Sequence, residues 1–440
     1  MTLHKLILTA LGAVLLVLPL NPALAENSAF RCSHLESDAA LPTLEGKNGF
    51  FFRVMADLRM QHPMTEETVR RVADLAEALK EGGTTLIYVP VPTKSQTIPA
   101  MLPANAALYG FDTKVARAIY DDQIKLLNAH GVVAVDLLKA IETDDPDKAP
   151  FFKTDFHWTS SGARLAAEAI AEIVKAQDGY KELTPLTFET ADMGSATAFS
   201  VMRRVIQRYC KDSVPRAETT VYQTKQVEKQ GDAVDIFGTG DAGTDIALVG
   251  TSFSDAEYQN FSGFISEYSG LNVSNQSVTG GNQFGSLTSY LTSATFQQRR
   301  PKFLIWENPI YNNLGQFGDA VMAELITVAS GRCKAVEASS ITRENNTLKV
   351  NVDGRPLRID DVIYAYSGND RSRRIELELH RSNGKTLRES IERNVRVQSS
   401  GRFYLSLEPM WSDDIKSVDL KFDQLTADSA EVAICGSRGE

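Results

Sequence analysis

Helix-like and strand-like apolar patterns alternate along this chain, and the alternation restricts its possible folds more than any other feature. Residues 65–80 carry apolar side chains at three- and four-residue steps, which is typical of an amphipathic helix. The apolar run 86–89 predicts a buried strand, 114–129 a second helix and 132–135 the next strand. Crossover connections join such elements, so we predict a mainly parallel sheet with helices on both faces.

The same pattern continues to about residue 330. A further helix is predicted over 162–176, and a polar segment rich in Thr and Lys follows around 215–233. Three more strands are predicted, at 246–249, 272–274 and 303–306. We therefore expect one α/β catalytic domain over residues 26–332.

The pattern changes after Cys333. Short alternating apolar and polar runs predict strands at 347–352, 357–363, 375–380 and 403–407. The dipeptides Asp353-Gly354 and Asn383-Gly384 lie between runs, and both tolerate the positive φ of a hairpin turn. We expect a small all-β sandwich domain over residues 333–440.

The N-terminus has the layout of a secretory signal peptide. Lys5 precedes an apolar run over 6–20, and Ala23-Leu24-Ala25 supplies the small residues of a cleavage site. The alternative is a membrane anchor, but the run is shorter than the ~20 residues of a spanning helix. We expect residues 1–25 to be removed after Ala25 and the mature chain to be exported to the periplasm.

The charge of the chain limits its partners. The formal net charge is −10, which argues against a nucleic-acid partner because such proteins are usually basic. Residues 371–402 depart from this balance, with nine Lys or Arg against four Glu. This stretch is either a solvated sheet face or a docking surface for an anionic polymer.

The four cysteines form an even set in a chain expected to enter an oxidising compartment. Cys333 and Cys435 bracket the last hundred residues, whereas Cys32 and Cys210 both lie in the larger N-terminal part. Of the three possible pairings we predict Cys32–Cys210 and Cys333–Cys435. A zinc site is not expected, since CxxC is absent and the six histidines are scattered. We predict neither a metal nor a cofactor.

Two segments carry candidate chemistry. Ser252 follows the buried strand 246–249, at the place where α/β folds bind ligands, although a serine there is also a common helix N-cap. Asp155 and His157 are two residues apart, so an extended chain would point both to one side. A surface loop or a satisfied core histidine would explain that pair equally well. Together the segments suggest Ser–His–Asp acyl chemistry, in which a base activates the hydroxyl and a carboxylate orients the base.

Four motifs make the chain resemble a known family. NGFFFR at 48–53, VPVPTK at 89–94, TDFHWT at 154–159 and GTSFS at 250–254 occur in the order seen in the alginate O-acetyltransferase family AlgX/AlgJ. That family has an SGNH-hydrolase-like domain, and the resemblance spans roughly residues 46–330. The β-domain resembles the carbohydrate-binding module that follows this domain in AlgX and is absent from AlgJ.

The resemblance implies roles for particular residues. Ser252 would be the nucleophile, His157 the general base and Asp155 its orienting partner. The block NQSVTG at 275–280 makes Gly280 a candidate oxyanion-hole donor beside the amide of Ser252. Asn308 in WENP would be the oxyanion Asn, but the usual block is Asn followed by Asp, and a turn residue is the alternative.

Further residues are candidates for substrate binding. Tyr311 and Lys94 would line the cleft, although core packing and a surface charge explain them equally well. The arginines of the basic stretch would hold the polymer: Arg371, Arg373, Arg374 and Arg381.

The resulting hypothesis is a periplasmic O-acetyltransferase that moves an acetyl group through a Ser252 acyl-enzyme onto an exported polysaccharide. The resemblance implies an anionic acceptor such as alginate, an acetyl donor relayed by a membrane acyltransferase, and other exopolysaccharide export proteins as partners. Two alternatives stay open: an acetylesterase that uses the same three residues, and a non-catalytic glycan-binding scaffold of an export complex.

Overall fold

The computed structural model describes residues 28–60, 64–227, 245–316, 318–331, 333, 341–352 and 357–436. The predicted signal peptide and the Asp353-Gly354 turn lie outside the described residues. None of the described helices combines the length and the apolar character that crossing a bilayer requires.

The helices begin where short polar side chains cap them. Thr65 accepts a hydrogen bond from the amide of Thr68 at the start of the first helix, and Thr159 accepts one from Gly162 at the start of the fifth. The helices are α1 Glu66–Glu81, α2 Lys94–Thr97, α3 Thr113–Ala129, α4 Leu137–Ile141, α5 Ser160–Lys175, α6 Val201–Gln207, α7 Ser252–Asp255, α8 Phe261–Ser269, α9 Gly285–Leu291, α10 Ala294–Gln298 and α11 Asp319–Ser330.

The strands fall into a parallel set and an antiparallel set. They are β1 Thr43–Glu45, β2 Phe51–Arg53, β3 Thr85–Val91, β4 Val133–Ala134, β5 Phe188–Thr197, β6 Glu218–Gln226, β7 Ile246–Val249, β8 Val273–Asn275, β9 Phe303–Pro309, β10 Ile341–Glu344, β11 Thr347–Asn351, β12 Val362–Tyr366, β13 Arg374–Arg381, β14 Thr386–Glu392, β15 Arg402–Ser406, β16 Ile415–Phe422 and β17 Glu431–Cys435.

A five-stranded parallel sheet in the order β4-β3-β9-β7-β8 forms the centre of the α/β part. Alternate residues of each strand enter different apolar cores: Tyr88 packs with α1, α3 and α11, whereas Val89 packs with α4, α5 and α8. Both faces of the sheet are therefore covered by helices, as the alternating pattern predicts.

Strands β5 and β6 form a separate two-stranded sheet, and of the two only β6 lies in the 215–233 segment that the sequence pattern left as a polar interruption. They pair antiparallel across the connection that contains α6, and the register shifts between Asp192 and Ser195. Most of β5 is exposed, while the two strands contact α5 and α8 along one side. The strands carry Thr, Tyr and Val but little apolar alternation, which is why the sequence pattern did not predict them.

The C-terminal part is a sandwich of two antiparallel sheets, in the orders β10-β11-β16-β13-β14 and β15-β12-β17. Apolar residues of both sheets meet in one core, for example Leu377 with Ile363. Four of these strands, β10, β14, β16 and β17, were not predicted. The strand expected at 357–363 is instead Val362–Tyr366.

The two parts of the chain share an interface and each contains a disulfide. Cys32 is bonded to Cys210, and Cys333 to Cys435. Strand β15 packs on α11, where the buried carboxylate of Glu324 pairs with the guanidinium of Arg393 and accepts the amide of Tyr404. The smaller sheet thus has apolar neighbours on both faces, because Tyr364 faces α11 while Ile363 faces the sandwich core.

Candidate active site

Ser252 lies at the carboxyl edge of the parallel sheet. Strand β7 ends at Val249, the chain turns, and α7 begins at Ser252. The N-cap of α7 is Thr251, whose hydroxyl accepts from the amide of Phe253. Because Thr251 supplies the cap, the hydroxyl of Ser252 is not used for that purpose, and the side chain is only half-buried.

Asp155 and His157 belong to a tight loop between Phe151 and Trp158, which form an isolated antiparallel bridge. The Asp155 carboxylate accepts hydrogen bonds from the His157 backbone amide, at 2.9 Å, and from ring nitrogen Nδ1, at 2.6 Å. Both bonds go to the same oxygen, Oδ1. The loop thus places the Asp155 carboxylate beside the ring of His157, two residues further along the chain.

The other ring nitrogen of His157, Nε2, lies 2.7 Å from Ser252 Oγ. An ionised carboxylate only accepts hydrogen bonds, so the network assigns the imidazole proton to Nδ1 and leaves the Nε2 lone pair facing the hydroxyl. Ser252, His157 and Asp155 therefore form one hydrogen-bonded chain, in the arrangement that activates a serine as a nucleophile.

The environment of Asp155 favours its ionised form. Burial by itself would raise the pKa of this carboxyl, but the hydrogen bonds and the charge interaction with His157 outweigh burial and hold the pKa below its ordinary value. Aromatic rings restrict the imidazole, with Phe156 centred 4.1 Å and Phe253 5.0 Å from the His157 ring. The carboxylate and the ring are thus both held in place.

Glu307, in β9, supports the turn that carries Ser252. Its buried carboxylate accepts from the amide of Thr251 at 2.7 Å, from the Thr251 hydroxyl at 3.1 Å and from the hydroxyl of Ser254 at 2.9 Å. Burial raises the pKa of Glu307 to about 7, against the lowering effect of these hydrogen bonds. Sequence reasoning missed this residue, although a lone carboxylate within a buried apolar strand was a usable signal.

The loop that carries Gly280 runs beside the same turn. The amide of Val278 donates to the carbonyl of Gly250, and the amide of Thr279 donates to Asp255 of α7. Gly280 has φ +74°, and its carbonyl accepts from the side chain of Asn394. The loop therefore lies near Ser252. Gly280 itself contacts the C-terminal part of the chain.

The structure does not favour Asn308 as an oxyanion-hole donor. Its side chain is buried, donates to the hydroxyl of Tyr88 at 3.1 Å and accepts from Asn312. Alternation along β9 places Asn308 on the face opposite Glu307, whereas the turn of Ser252 lies on the Glu307 side. Within the WENP block, the carboxylate of Glu307 contacts this turn, and the side-chain amide of Asn308 does not.

Lys94 is not a cleft-lining residue. Its side chain is 1% exposed, and the ammonium donates to the backbone carbonyls of Phe51, Lys153 and Asp155. The prediction that Lys94 lines the cleft was wrong, and so was the alternative of a surface charge, because the 48–53 segment covers the end of the VPVPTK strand.

Tyr311 is half-buried and belongs to an aromatic and cationic group. The guanidinium of Arg53 lies between the rings of Phe156, at 4.2 Å, and Tyr311, at 4.6 Å, and pairs with Asp57. Burial raises the pKa of Tyr311 to about 12. Arg53 and Asp57 were missed by the sequence reasoning, although Arg53 ends the NGFFFR motif.

The four arginines of the basic stretch have different surroundings. Arg371 and Arg374 are exposed, but Arg381 is bonded to Asp414 at 2.6 Å. The guanidinium of Arg373 donates to carbonyls within the 394–397 loop. Internal contacts therefore occupy Arg381 and Arg373, which makes them poorer candidates for binding a polymer.

One group of side chains in the described part of the chain has metal-ligand spacing. Atoms of Glu378, His380 and Asp419 lie within 4.8 Å of one another on the larger sheet of the sandwich. Arg388 is bonded to Glu378, and His380 lies 3.3 Å from Asp419. These contacts describe a cross-strand set of polar side chains that is separate from Ser252.

A parallel sheet covered by helices, with a Ser–His–Asp group at its carboxyl edge, defines an SGNH-hydrolase-like protein. The family described as "SGNH hydrolase-like domain, acetyltransferase AlgX" matches residues 43–310. The chain belongs to this family.

Individual relatives agree with that assignment. The chain is 29% identical to "Alginate biosynthesis protein AlgX" of Pseudomonas aeruginosa over 399 residues, which cover 89% of this chain and 82% of that protein. It is 28% identical to "Probable alginate O-acetylase AlgJ" of Pseudomonas putida over 52% of this chain and 63% of that protein. The solved structure of Pseudomonas aeruginosa AlgX superposes with a TM-score of 0.77 at 24% identity and covers 90% of this chain and 95% of that one, which establishes the shared fold.

Proposed function

We propose that this protein is a periplasmic O-acetyltransferase that acetylates hydroxyl groups of an exported anionic polysaccharide. The observation that carries the proposal is the hydrogen-bonded chain from Asp155 through His157 to the hydroxyl of Ser252. It is the arrangement expected of a serine nucleophile with its base and orienting carboxylate. The proposal also rests on membership of the AlgX family.

The reaction would proceed in two displacements. Ser252 Oγ attacks the carbonyl carbon of the acetyl donor while His157 Nε2 takes the hydroxyl proton, and the leaving group departs with that proton. A sugar hydroxyl then gives its proton to Nε2 and attacks the acetyl-serine, and Ser252 Oγ regains the proton as it leaves. Asp155 stabilises the imidazolium that forms in each step.

Backbone amides would stabilise the oxyanion of each tetrahedral intermediate. We assign this role to the amides of Ser252 and Gly280, since the 276–280 loop runs beside the Ser252 turn. One such donor typically contributes roughly 10²–10³ in rate.

The acceptor would lie across both parts of the chain, which we treat as a catalytic domain over 26–332 and a carbohydrate-binding module over 333–440. The side chain of Arg396 lies against Gly280, so a cation of the module adjoins the loop of the proposed site. Arg371 and Arg374 add exposed positive charge to the module. A uronic-acid polymer held there would reach Ser252 at a raised effective concentration.

Export would bring the protein to its substrate. Disulfides of this kind persist in oxidising compartments such as the periplasm, and a signal peptide cleaved after Ala25 would direct the chain there. Relatives carry the name "Alginate biosynthesis protein AlgX", so we propose alginate or a similar polymer as acceptor. A membrane acyltransferase would deliver the acetyl group, and other exopolysaccharide export proteins would be partners.

The proposal is tested by incubating the purified protein with p-nitrophenyl acetate, with and without a mannuronate oligosaccharide, and measuring glycan acetylation by mass spectrometry. We expect acetylated glycan from the wild type and none from Ser252→Ala. Ser262→Ala, which removes a half-buried serine hydroxyl on α8, is the matched control and should behave as the wild type. Release of acetate without glycan acetylation would instead identify an esterase. Glycan binding without turnover would identify a scaffold.

A further inference from the structure

We propose that Lys94 is a positioning residue that fixes the loop of Asp155 and His157 for proton transfer, an inference that rests on the proposed function. Lys94 touches neither the hydroxyl nor the imidazole in its described contacts. It acts on the backbone that carries them.

The contacts of the Lys94 ammonium account for all of its donors. It donates to the carbonyl oxygens of Phe51 and Lys153 at 2.8 Å each and to that of Asp155 at 2.9 Å. An ammonium has three N–H groups, and here each has one backbone acceptor. The amide of Phe51 also donates to the carbonyl of Lys153, at 2.8 Å. Lys94 thus joins β2 and the start of α2 to the loop of the proposed base.

The identity of the side chain matters because the site is closed to water. Lys94 is 1% exposed, and the rings of Phe50 and Phe52 lie 5.7 and 5.6 Å from its Nζ. Without Lys94 the carbonyl of Lys153 keeps its bond from the amide of Phe51, but the carbonyls of Phe51 and Asp155 lose the ammonium donor, and the loop would have to move to hydrate them. The planar fork of an arginine does not match three acceptors around a single nitrogen.

The charges around Lys94 are consistent with a role in holding Asp155. Burial lowers the pKa of Lys94 to about 7, the carboxylates of Asp57 and Asp155 act to raise it, and Arg53 acts to lower it. The charged form of Lys94 is therefore favoured partly by Asp155, and the three carbonyl acceptors favour it further.

The test compares Lys94→Met with the wild type by two measurements. The first is the far-downfield proton NMR signal of the His157 Nδ1 hydrogen, identified by its loss in Asp155→Asn. The second is the rate at which phenylmethylsulfonyl fluoride modifies Ser252. We expect Lys94→Met to lose or shift the proton signal and to slow modification by about 100-fold, the effect of an ångström-scale misplacement. The KM for the oligosaccharide acceptor should stay unchanged.

Two further variants separate positioning from general stability. Thr84→Val removes a buried hydroxyl that donates to the carbonyl of Pro301 at the opposite end of β3, and it should leave the proton signal and the modification rate unchanged. Lys94→Gln keeps two N–H donors and serves if Lys94→Met does not fold. It should retain the proton signal with an altered shift and be modified more slowly than the wild type.

A folded Lys94→Met or Lys94→Gln protein with the wild-type proton signal and modification rate would overturn the inference, whatever its thermal stability. Failure of the proposed function would look different. In that case the wild type would not acetylate glycan, or Ser252→Ala would acetylate it to the same extent, while the proton signal would still report whether Lys94 sets the loop.

Discussion

The indole nitrogen of Trp158 donates a hydrogen bond of 2.8 Å to the carbonyl of Phe253. Trp158 follows His157, and Phe253 follows Ser252, so this bond runs beside the contact between His157 Nε2 and Ser252 Oγ. Two segments that are 95 residues apart are therefore joined twice, once by this bond from an indole to a carbonyl and once by the contact between the His157 ring and the Ser252 hydroxyl. The bond from the indole restrains the separation of the two segments.

Removal of this link should affect chemistry more than binding. In Trp158→Phe the buried carbonyl of Phe253 loses its donor, and we expect about 1–3 kcal/mol less unfolding free energy. Modification of Ser252 by the sulfonyl fluoride should slow by about 10- to 100-fold. Trp306→Phe is the control, because Trp306 is equally buried and donates to Gln283 on the other face of the sheet. Equal modification rates in the two variants would contradict this role of Trp158.

The buried carboxyl of Glu307 should give stability a distinctive pH dependence. Its pKa is raised from 4.5 to about 7 in the folded protein, so between these values the folded state holds a proton that the unfolded state has released. This contribution to stability is complete below pH 4.5 and is lost as the pH rises through 7, by about 3 kcal/mol in total. Glu307→Gln removes it. Urea unfolding from pH 4 to 8 should therefore show the wild-type stability falling relative to the variant, and a constant difference would refute the assignment.

A side chain at Gly250 should be destabilising. A Cβ built there would lie 2.4 Å from Glu307 Oε2 and 3.0 Å from Ser254 Oγ, so either the Glu307 carboxylate or the turn before Ser252 would have to move. We expect Gly250→Ala to lower the unfolding free energy by about 1–3 kcal/mol and to slow modification of Ser252. At Gly315 the nearest atom to a new Cβ is 3.4 Å away, an ordinary contact, so Gly315→Ala should match the wild type. Thermal unfolding and the labelling rate measure both effects.

The interface between the two parts of the chain should depend on one buried ion pair. Arg393 is 8% and Glu324 1% exposed, and Arg393→Met would leave the carboxylate buried without its partner. We expect a loss of about 3–5 kcal/mol in urea unfolding.

The double variant Glu324→Met/Arg393→Met should lose less than Arg393→Met alone, since neither charge then remains. Arg388→Met provides the surface comparison, because the Arg388 side chain is 62% exposed in its pair with Glu378 and water screens that pair, so the loss should be much smaller. Equal losses in Arg393→Met and Arg388→Met would show that the buried pair does not hold the interface.

The sequence determined those features that depend on neighbouring residues. Helix α1, predicted over 65–80, is found at Glu66–Glu81, and the strand predicted at 246–249 has those bounds. Local periodicity and capping decide such elements. The spacing of Asp155 and His157 placed both residues in one loop, but the contact of the carboxylate with the ring depended on loop geometry that the sequence did not show. The antiparallel pair β5 and β6 was missed because exposed strands leave little apolar pattern.

Tertiary structure alone decided which distant groups meet. Lys94 was expected to line the cleft and is instead buried against three carbonyls, while Glu307 and not Asn308 contacts the turn of Ser252. These outcomes depend on the order of strands in the sheet and on which face of β9 each side chain occupies. The pairing of residues far apart in the chain is set by packing of the whole domain, and local sequence carries no record of it.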